Sequence, residues 1–367
     1  MNRFEFGDRQ ISGSEMAITI MSMIVGVGIL TLPRSLAAAT LSSDGLLSIA
    51  FAGLLALPAG WLLAKLAVRM GRTAYYPFAS ALVTKPVAML VVAVTALYFL
   101  LFCAYEVKAV ANIAMQYLFE RTPIEVVALS FLLVVFYAAA GERASLIRLN
   151  VLFMPLVLLI VLALLLFSQN NFFFVNLQPF FVTGWRQIAS GAGQTVFSLL
   201  GMEVVLFYTA MMAKPKLAPP MTLIGIAMPV VLYLLIYMLC IGIFSQPALR
   251  EVQYPTIELA KEARIPGEFF ERFESLFFVT WIMTIFNSTT MMLDLAAETC
   301  RSLFGKRRFA WLLALSPLVY IIAMTPRDEA DFERFGKWVS YGGIAVGICL
   351  PVLLLLVAKL RGVRAHD

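Results

Sequence analysis

Apolar runs, each near the about 20 residues that a helix needs to cross a bilayer, succeed one another along most of this chain, and short loops carry most of the charge between them. That pattern leaves few folds open. Hydrocarbon offers no water to satisfy peptide groups, so each run must form a helix that bonds to itself. Of 367 residues, 61% are hydrophobic and 14% charged, and the mean hydropathy is +0.89, far from soluble composition. We expect an all-α integral membrane protein of about ten transmembrane helices. The spans lie near residues 13–38, 45–69, 87–117, 122–140, 146–168, 185–213, 220–245, 272–302, 308–325 and 338–359, in one transmembrane domain covering 1–367. The leader carries acids as well as bases and the first apolar run is interrupted. We therefore expect that run to be retained as a span, although Ala37-Ala38-Ala39 resembles a cleavage motif.

Loop charge orients the bundle. One set of loops holds Lys65, Arg69, Arg72 and Lys85, then Arg143 and Arg148, then Lys214 and Lys216, and later Arg301 and Lys306–Arg308. The alternate loops are neutral or acid-leaning, so the positive-inside rule predicts both termini in the cytoplasm. The net charge of +6 is spread over these loops rather than gathered in one patch, and nucleic acid is not expected as a partner. On the other side, Tyr254–Arg264, closed by Pro266-Gly267, reads as a short helix over the bundle, and Phe172, Phe173, Phe174 and Phe180 read as headgroup-level aromatics.

Cys103, Cys240, Cys300 and Cys349 sit in or beside apolar segments, and the single histidine is His366 in the tail. Neither a disulfide framework nor a Cys/His metal site is implied. No catalytic set, phosphate-binding loop, cofactor motif or metal-ligand motif occurs, so an enzyme is not expected.

Two spans are poorly suited to unbroken helices. The first contains Ile24-Val25-Gly26-Val27-Gly28-Ile29-Leu30-Thr31-Leu32-Pro33-Arg34, and each glycine weakens a helix by about 1 kcal/mol relative to alanine. Close packing of small residues is one reading. A broken helix with bare peptide groups facing something small and polar is the other, and Pro33 and Arg34 then mark the outer end of its second half. The sixth span repeats the interruption in Val196-Phe197-Ser198-Leu199-Leu200-Gly201-Met202-Glu203. Breaks at corresponding places in two sets of five spans, about 11–168 and 185–360, form the pattern of an inverted five-helix repeat.

Polar groups inside the spans are the candidate site. Glu203 lies among apolar residues, where an acid must be paired, solvated or protonated. It could accept an ammonium, carry a proton, or brace the break. In span three, Tyr98, Phe102, Tyr105, Ala109, Asn112 and Gln116 share one face, of which Tyr98 and Phe102 are candidates for pocket contact. Glu106 and Lys108, two residues apart, cannot satisfy each other; Lys108 is expected at the outer interface, while Glu106 stays open. In span eight, Thr280, Thr284, Asn287, Asp294 and Glu298 line up, with Ser288, Thr289 and Thr290 beside them. Asn287 and Thr290 are the site candidates, and Asp294 and Glu298 are expected as solvated charge.

The Gly-Val-Gly-Ile-Leu break at 26–30 and Gly-x-Glu at 201–203, within ten spans, resemble the amino acid–polyamine–organocation superfamily. Within it, Gly26 to Arg34 and the short chain resemble the spore germination protein family, the B subunits of nutrient germinant receptors. The resemblance implies a leucine-transporter-type fold with a small amino acid between the breaks of spans one and six. Its carboxylate would meet backbone N–H groups at Gly26, Val27, Gly28 and Ile29. Its ammonium would meet carbonyls of Ser198, Leu199, Leu200 and Gly201 near Glu203, and its side chain would meet Tyr98, Phe102 and residues near Asn287. It further implies A and C receptor subunits as partners and a place in the spore inner membrane. Span five has Arg148 at its start and no lysine, which departs from proton-coupled members of the superfamily that carry a lysine facing the site.

Overall fold

The computed structural model describes residues 10–119, 121–262 and 273–361, so Arg264 and Pro266-Gly267 of the expected outer helix lie outside the described residues, as do His366 and the leader up to Arg9. Among the described residues the regular elements are all helical, and one isolated bridge joins Ile11 to Met212. Six helices are long and apolar enough to span a membrane, and two bent pairs add one span each. Two further apolar helices, Ile124–Ala140 and Arg308–Ala323, take the places of the expected fourth and ninth spans. In chain order the main elements are α1 (Gly13–Val25), α2 (Gly28–Ala39), α3 (Gly45–Met70), α4 (Tyr75–Leu82), α5 (Lys85–Tyr117), α6 (Ile124–Ala140), α7 (Arg143–Phe167) and α8 (Trp185–Ser198). They continue as α9 (Met202–Met211, a run of tight helical turns), α10 (Ala218–Phe244), α11 (Gln246–Glu251), α12 (Pro255–Glu262), α13 (Phe273–Phe304), α14 (Arg308–Ala323), α15 (Glu329–Ile344) and α16 (Leu350–Leu360).

The first bent pair is α1 and α2, at 50°, and the second is α8 and α9, at 46°. Both breaks fall where the glycines are. α1 starts with a capping box in which Ser12 and Glu15 satisfy each other's backbone N–H. It ends at Gly26, and α2 begins at Gly28 with no side-chain cap. α8 and α9 are separated by Leu199–Gly201, with Gly201 at φ +111°. The broken pairs lie among α3, α5, α10 and α13, and the most extensive helix–helix contacts join α5 to α13 and α3 to α10. Near the cytoplasm-predicted end, Ile11 N–H donates to the Met211 carbonyl and Ala213 N–H to the Ile11 carbonyl, both at 2.9 Å, tying the start of α1 to the end of α9.

Several expectations change. Pro33 does not end the second half-helix: α2 runs on to Ala39. A proline inside a helix frees the carbonyl four residues back, and here that carbonyl, of Ile29, accepts the Thr256 hydroxyl of α12 at 2.7 Å. The last span starts at Glu329 rather than near 338, because Asp328 caps it by accepting from Asp331 N–H at 2.8 Å; a π turn at Ala345–Cys349 joins α15 to α16. The short helices α4 and α11 were not expected. Phe173, Phe174 and Phe180 are exposed as predicted, but Phe172 packs against Gly242 of α10.

Candidate functional site

The two breaks meet in a reciprocal arrangement. A Cβ on Gly28, at the start of α2, would lie 2.7 Å from Ser198 Cβ at the end of α8. A Cβ on Gly201, before α9, would lie 3.0 Å from the Met23 backbone near the end of α1. Each second half-helix thus begins against the end of the other pair's first half, and only glycine permits the approach. Gly26, Val27, Gly28 and Ile29 are buried here together with Ser198, Leu199, Leu200 and Gly201.

Tyr233 of α10, absent from the sequence-derived candidates, joins the breaks. Its hydroxyl lies 2.6 Å from the Ile24 carbonyl and 3.0 Å from the Ser198 carbonyl, so its one proton serves two peptide oxygens that the breaks release. A tyrosine in a uniformly apolar span gives no signal in the sequence by itself.

Glu203 is wholly buried, and both its oxygens have protein donors. The Tyr98 hydroxyl makes a short hydrogen bond to Oε1, and Gly201 N–H donates to Oε2 at 3.0 Å. Among the roles left open for it, this geometry is that of a brace: it fixes α9 to its own break and ties it to α5. Tyr98 packs beside Phe102, ring centroids 5.9 Å apart, and its ring fills the space over Gly342. Leu200 fills the space over Gly343 in the same way. The Gly342-Gly343 pair, a small-residue step in the last span's sequence, therefore lets α15 close on the break.

Span eight sorts its polar groups differently from the expectation. Thr280, Thr284, Thr289 and Thr290 each donate to the carbonyl four residues back in their own helix. Thr290 therefore has its proton engaged away from the break, whereas Ser288 faces it: a Cβ on Gly26 would lie 3.4 Å from Ser288 Oγ. Both polar atoms of the Asn287 side chain are buried without a partner. Asp294 and Glu298 are not solvated as expected. Asp294 is fully buried, held by Arg143 at 2.8 Å, Arg308 at 2.6 Å and the Tyr208 hydroxyl at 2.9 Å, which draws α7, α14 and α9 onto α13. Glu298 is 9% exposed and pairs with Arg301.

In span three, Tyr98, Phe102, Tyr105 and Ala109 are buried while Gln116 is exposed, so the predicted stripe holds only along its first turns. Glu106 is 1% exposed, and Lys108, expected at the interface, is 8% exposed. Their helix continues beyond them to Tyr117, where α12 covers it: Tyr117 donates to Glu258 at 3.0 Å and Lys261 lies 4.7 Å above the Tyr117 ring.

A cavity of about 700 Å³ opens toward this α12 end between α2, α8 and α15. Its wall carries Arg34, whose guanidinium lies 3.9 Å from Glu333. Its floor toward the breaks includes Tyr105 and Phe197, with Tyr105 stacked on Phe332 at 4.7 Å and edge-on to Phe197 at 5.6 Å. Among the described residues, no group of three or more histidine, cysteine or acidic side chains could hold a metal.

The overall fold is that of leucine-transporter-type transporters. It superposes with a TM-score of 0.69 on MhsT, solved in complex with L-phenylalanine, over 96% of this chain and 90% of that one at 15% identity. It superposes with a TM-score of 0.70 on Mhp1, a nucleobase-cation-symport-1 family transporter, over 93% of this chain and 77% of that one at 11% identity. In sequence it is 36% identical to spore germination protein GerLB of Bacillus cereus over 98% of this chain and 97% of that protein. It is 30% identical to spore germination protein YndE of Bacillus subtilis over 96% and 97% of the two chains. The family model described as spore germination protein matches residues 10–332. With that match and these relatives, the chain belongs to the spore germination protein family.

Proposed function

We propose that this protein is the membrane subunit of a nutrient germinant receptor, which binds a small amino acid between the α1–α2 and α8–α9 breaks and signals to A- and C-type partner subunits. The observation that carries the reading is the meeting of the two breaks, with Gly28 on Ser198 and Gly201 on Met23. The uncapped start of α2 favours a carboxylate, since a helix N-terminus combines free N–H groups with the positive end of its dipole. Its setting would be the spore inner membrane, with the basic loops and both termini in the cytoplasm and the large cavity open outward.

Signalling in this reading is a population shift. A ligand that fits one arrangement of the half-helices better than another biases the bundle by that difference in affinity, and no more. Glu203 ties the second break to α5, and the Ile11–Met211 bonds tie α1 to α9, so displacement at the breaks has fixed routes to the basic end. The second reading, a proton- or sodium-coupled amino-acid transporter acting by alternating access, draws on the fold shared with MhsT and Mhp1 over more than nine-tenths of this chain.

Thermal denaturation of the detergent-purified protein with single amino acids tests binding. A ligand at a hundredfold its Kd stabilises by about 2.7 kcal/mol, so at least one small amino acid raises the midpoint, and a panel without any shift refutes both readings. Uptake of the stabilising amino acid into proteoliposomes then separates them: accumulation driven by a pH or sodium gradient selects the transporter.

A further inference from the structure

Two acids are buried close to the breaks, and the protein satisfies them unequally. Glu203 has donors on both oxygens. Glu106, 1% exposed, accepts the Ser288 hydroxyl on Oε1 at 2.5 Å, while its Oε2 is buried with no partner. No ion pair reaches Glu106 among the described residues, and Lys108, two positions on, points to roughly the opposite side of the helix. An acid buried in a membrane bundle with half its acceptor capacity empty is costly unless a cation, a donor or its own proton completes it.

Its position says which group completes it. A Cβ on Gly26 would stand 3.2 Å from Glu106 Oε1 and 3.4 Å from Ser288 Oγ, so the carboxyl group lies directly against the glycine of the α1–α2 break. Ser288 adjoins Asn287, whose two amide atoms are also buried and unpartnered. Across the site, the Ser198 carbonyl already has the Tyr233 hydroxyl at 3.0 Å. An open acceptor for a cation therefore lies on α5, beside the α1–α2 break.

We propose that Glu106 receives the ammonium group of the ligand beside Gly26, making the site selective for small molecules with a free primary amine. This rests on the breaks being the ligand site. An amino acid would lie with its carboxylate toward the uncapped start of α2 and its ammonium on Glu106, with Ser288 holding the other face of the carboxyl group.

The test measures thermal midpoints of the detergent-purified full chain against the twenty L-amino acids, their N-acetyl derivatives, methylamine and ethylamine, and sodium or potassium chloride alone. In wild type, the stabilising amino acids lose their effect on N-acetylation. Glu106→Gln raises the half-stabilising concentration at least tenfold, and Glu106→Asp, which keeps the charge and serves if the glutamine variant does not fold, retains the preference for free amines. Equal amino-acid stabilisation of wild type and Glu106→Gln overturns the assignment while leaving the break site standing. Stabilisation by the simple amines alone, dependent on Glu106, supports the assignment while removing the amino-acid reading. Glu106-dependent stabilisation by sodium or potassium chloride, without amine, overturns it in favour of an inorganic cation, and no stabilisation by any probe overturns both.

Discussion

Single side chains at the breaks have roles that follow from what each one satisfies. Glu203 accepts from Tyr98 and from Gly201 N–H, so Glu203→Ala strands two buried donors. Each stranded donor costs about 1–3 kcal/mol, and we expect a marked fall in the thermal midpoint of the purified protein. Glu203→Gln keeps an acceptor and the same shape, so it should express and melt nearer to wild type while responding less to amino acids. Tyr233→Phe removes the one proton shared by the Ile24 and Ser198 carbonyls. A net loss of about 1–3 kcal/mol is expected from leaving buried carbonyl acceptors without their donor, read in the same melt. Buried Glu203 stood out in the sequence because an acid is rare inside an apolar span. Tyr233 did not, because an aromatic in such a span looks like packing.

At the scale of elements, the broken helices depend on close backbone approach. Gly201 combines φ +111° with Met23 backbone atoms 3.0 Å from where a Cβ would be. Gly201→Ala therefore carries a left-handed backbone cost of about 1–2 kcal/mol in addition to a steric conflict with α1. Gly193, on α8, has nothing within 4 Å of its would-be Cβ. Gly193→Ala should be neutral or stabilise by up to about 1 kcal/mol, since alanine favours a helix over glycine. Circular-dichroism melts of the two variants provide the comparison, and a similar effect of both would contradict the packing of the breaks. The existence of both breaks was legible from glycine placement. Their pairing was not, because a glycine in one span carries no information about which backbone lies opposite.

Across the whole molecule, the buried Asp294 is the junction that gathers distant segments at the basic end. It takes Arg143 from the start of α7, Arg308 from the start of α14 and Tyr208 from α9. Breaking a buried ion pair from one side costs about 3–5 kcal/mol because the partner charge is stranded, and Asp294→Asn strands two guanidinium groups. We expect a large loss of thermal stability in detergent, with part of it recovered when Arg143 and Arg308 are also replaced by methionine. An unchanged melt of Asp294→Asn would remove this junction from the account of the fold. The sequence placed Asp294 near a loop and suggested solvation, which neglected the two arginines that arrive 151 residues before it and 14 after it.

Sequence alone determined the solvent, the spans and the two interruptions. Hydrocarbon forces self-bonded helices, and apolar length with loop charge marks them out whatever the partners are. It also marked the family, through the residues of the breaks. Tertiary structure decided how buried polar groups are shared out, since partners for Glu203, Glu106, Asp294 and the break carbonyls come from helices far away in the chain. It likewise carried α2 past Pro33, because a hydroxyl on α12 satisfies the carbonyl that the proline frees. The glycines announced that two helices break; the packing brought the breaks together and left one oxygen of Glu106 without a partner beside them.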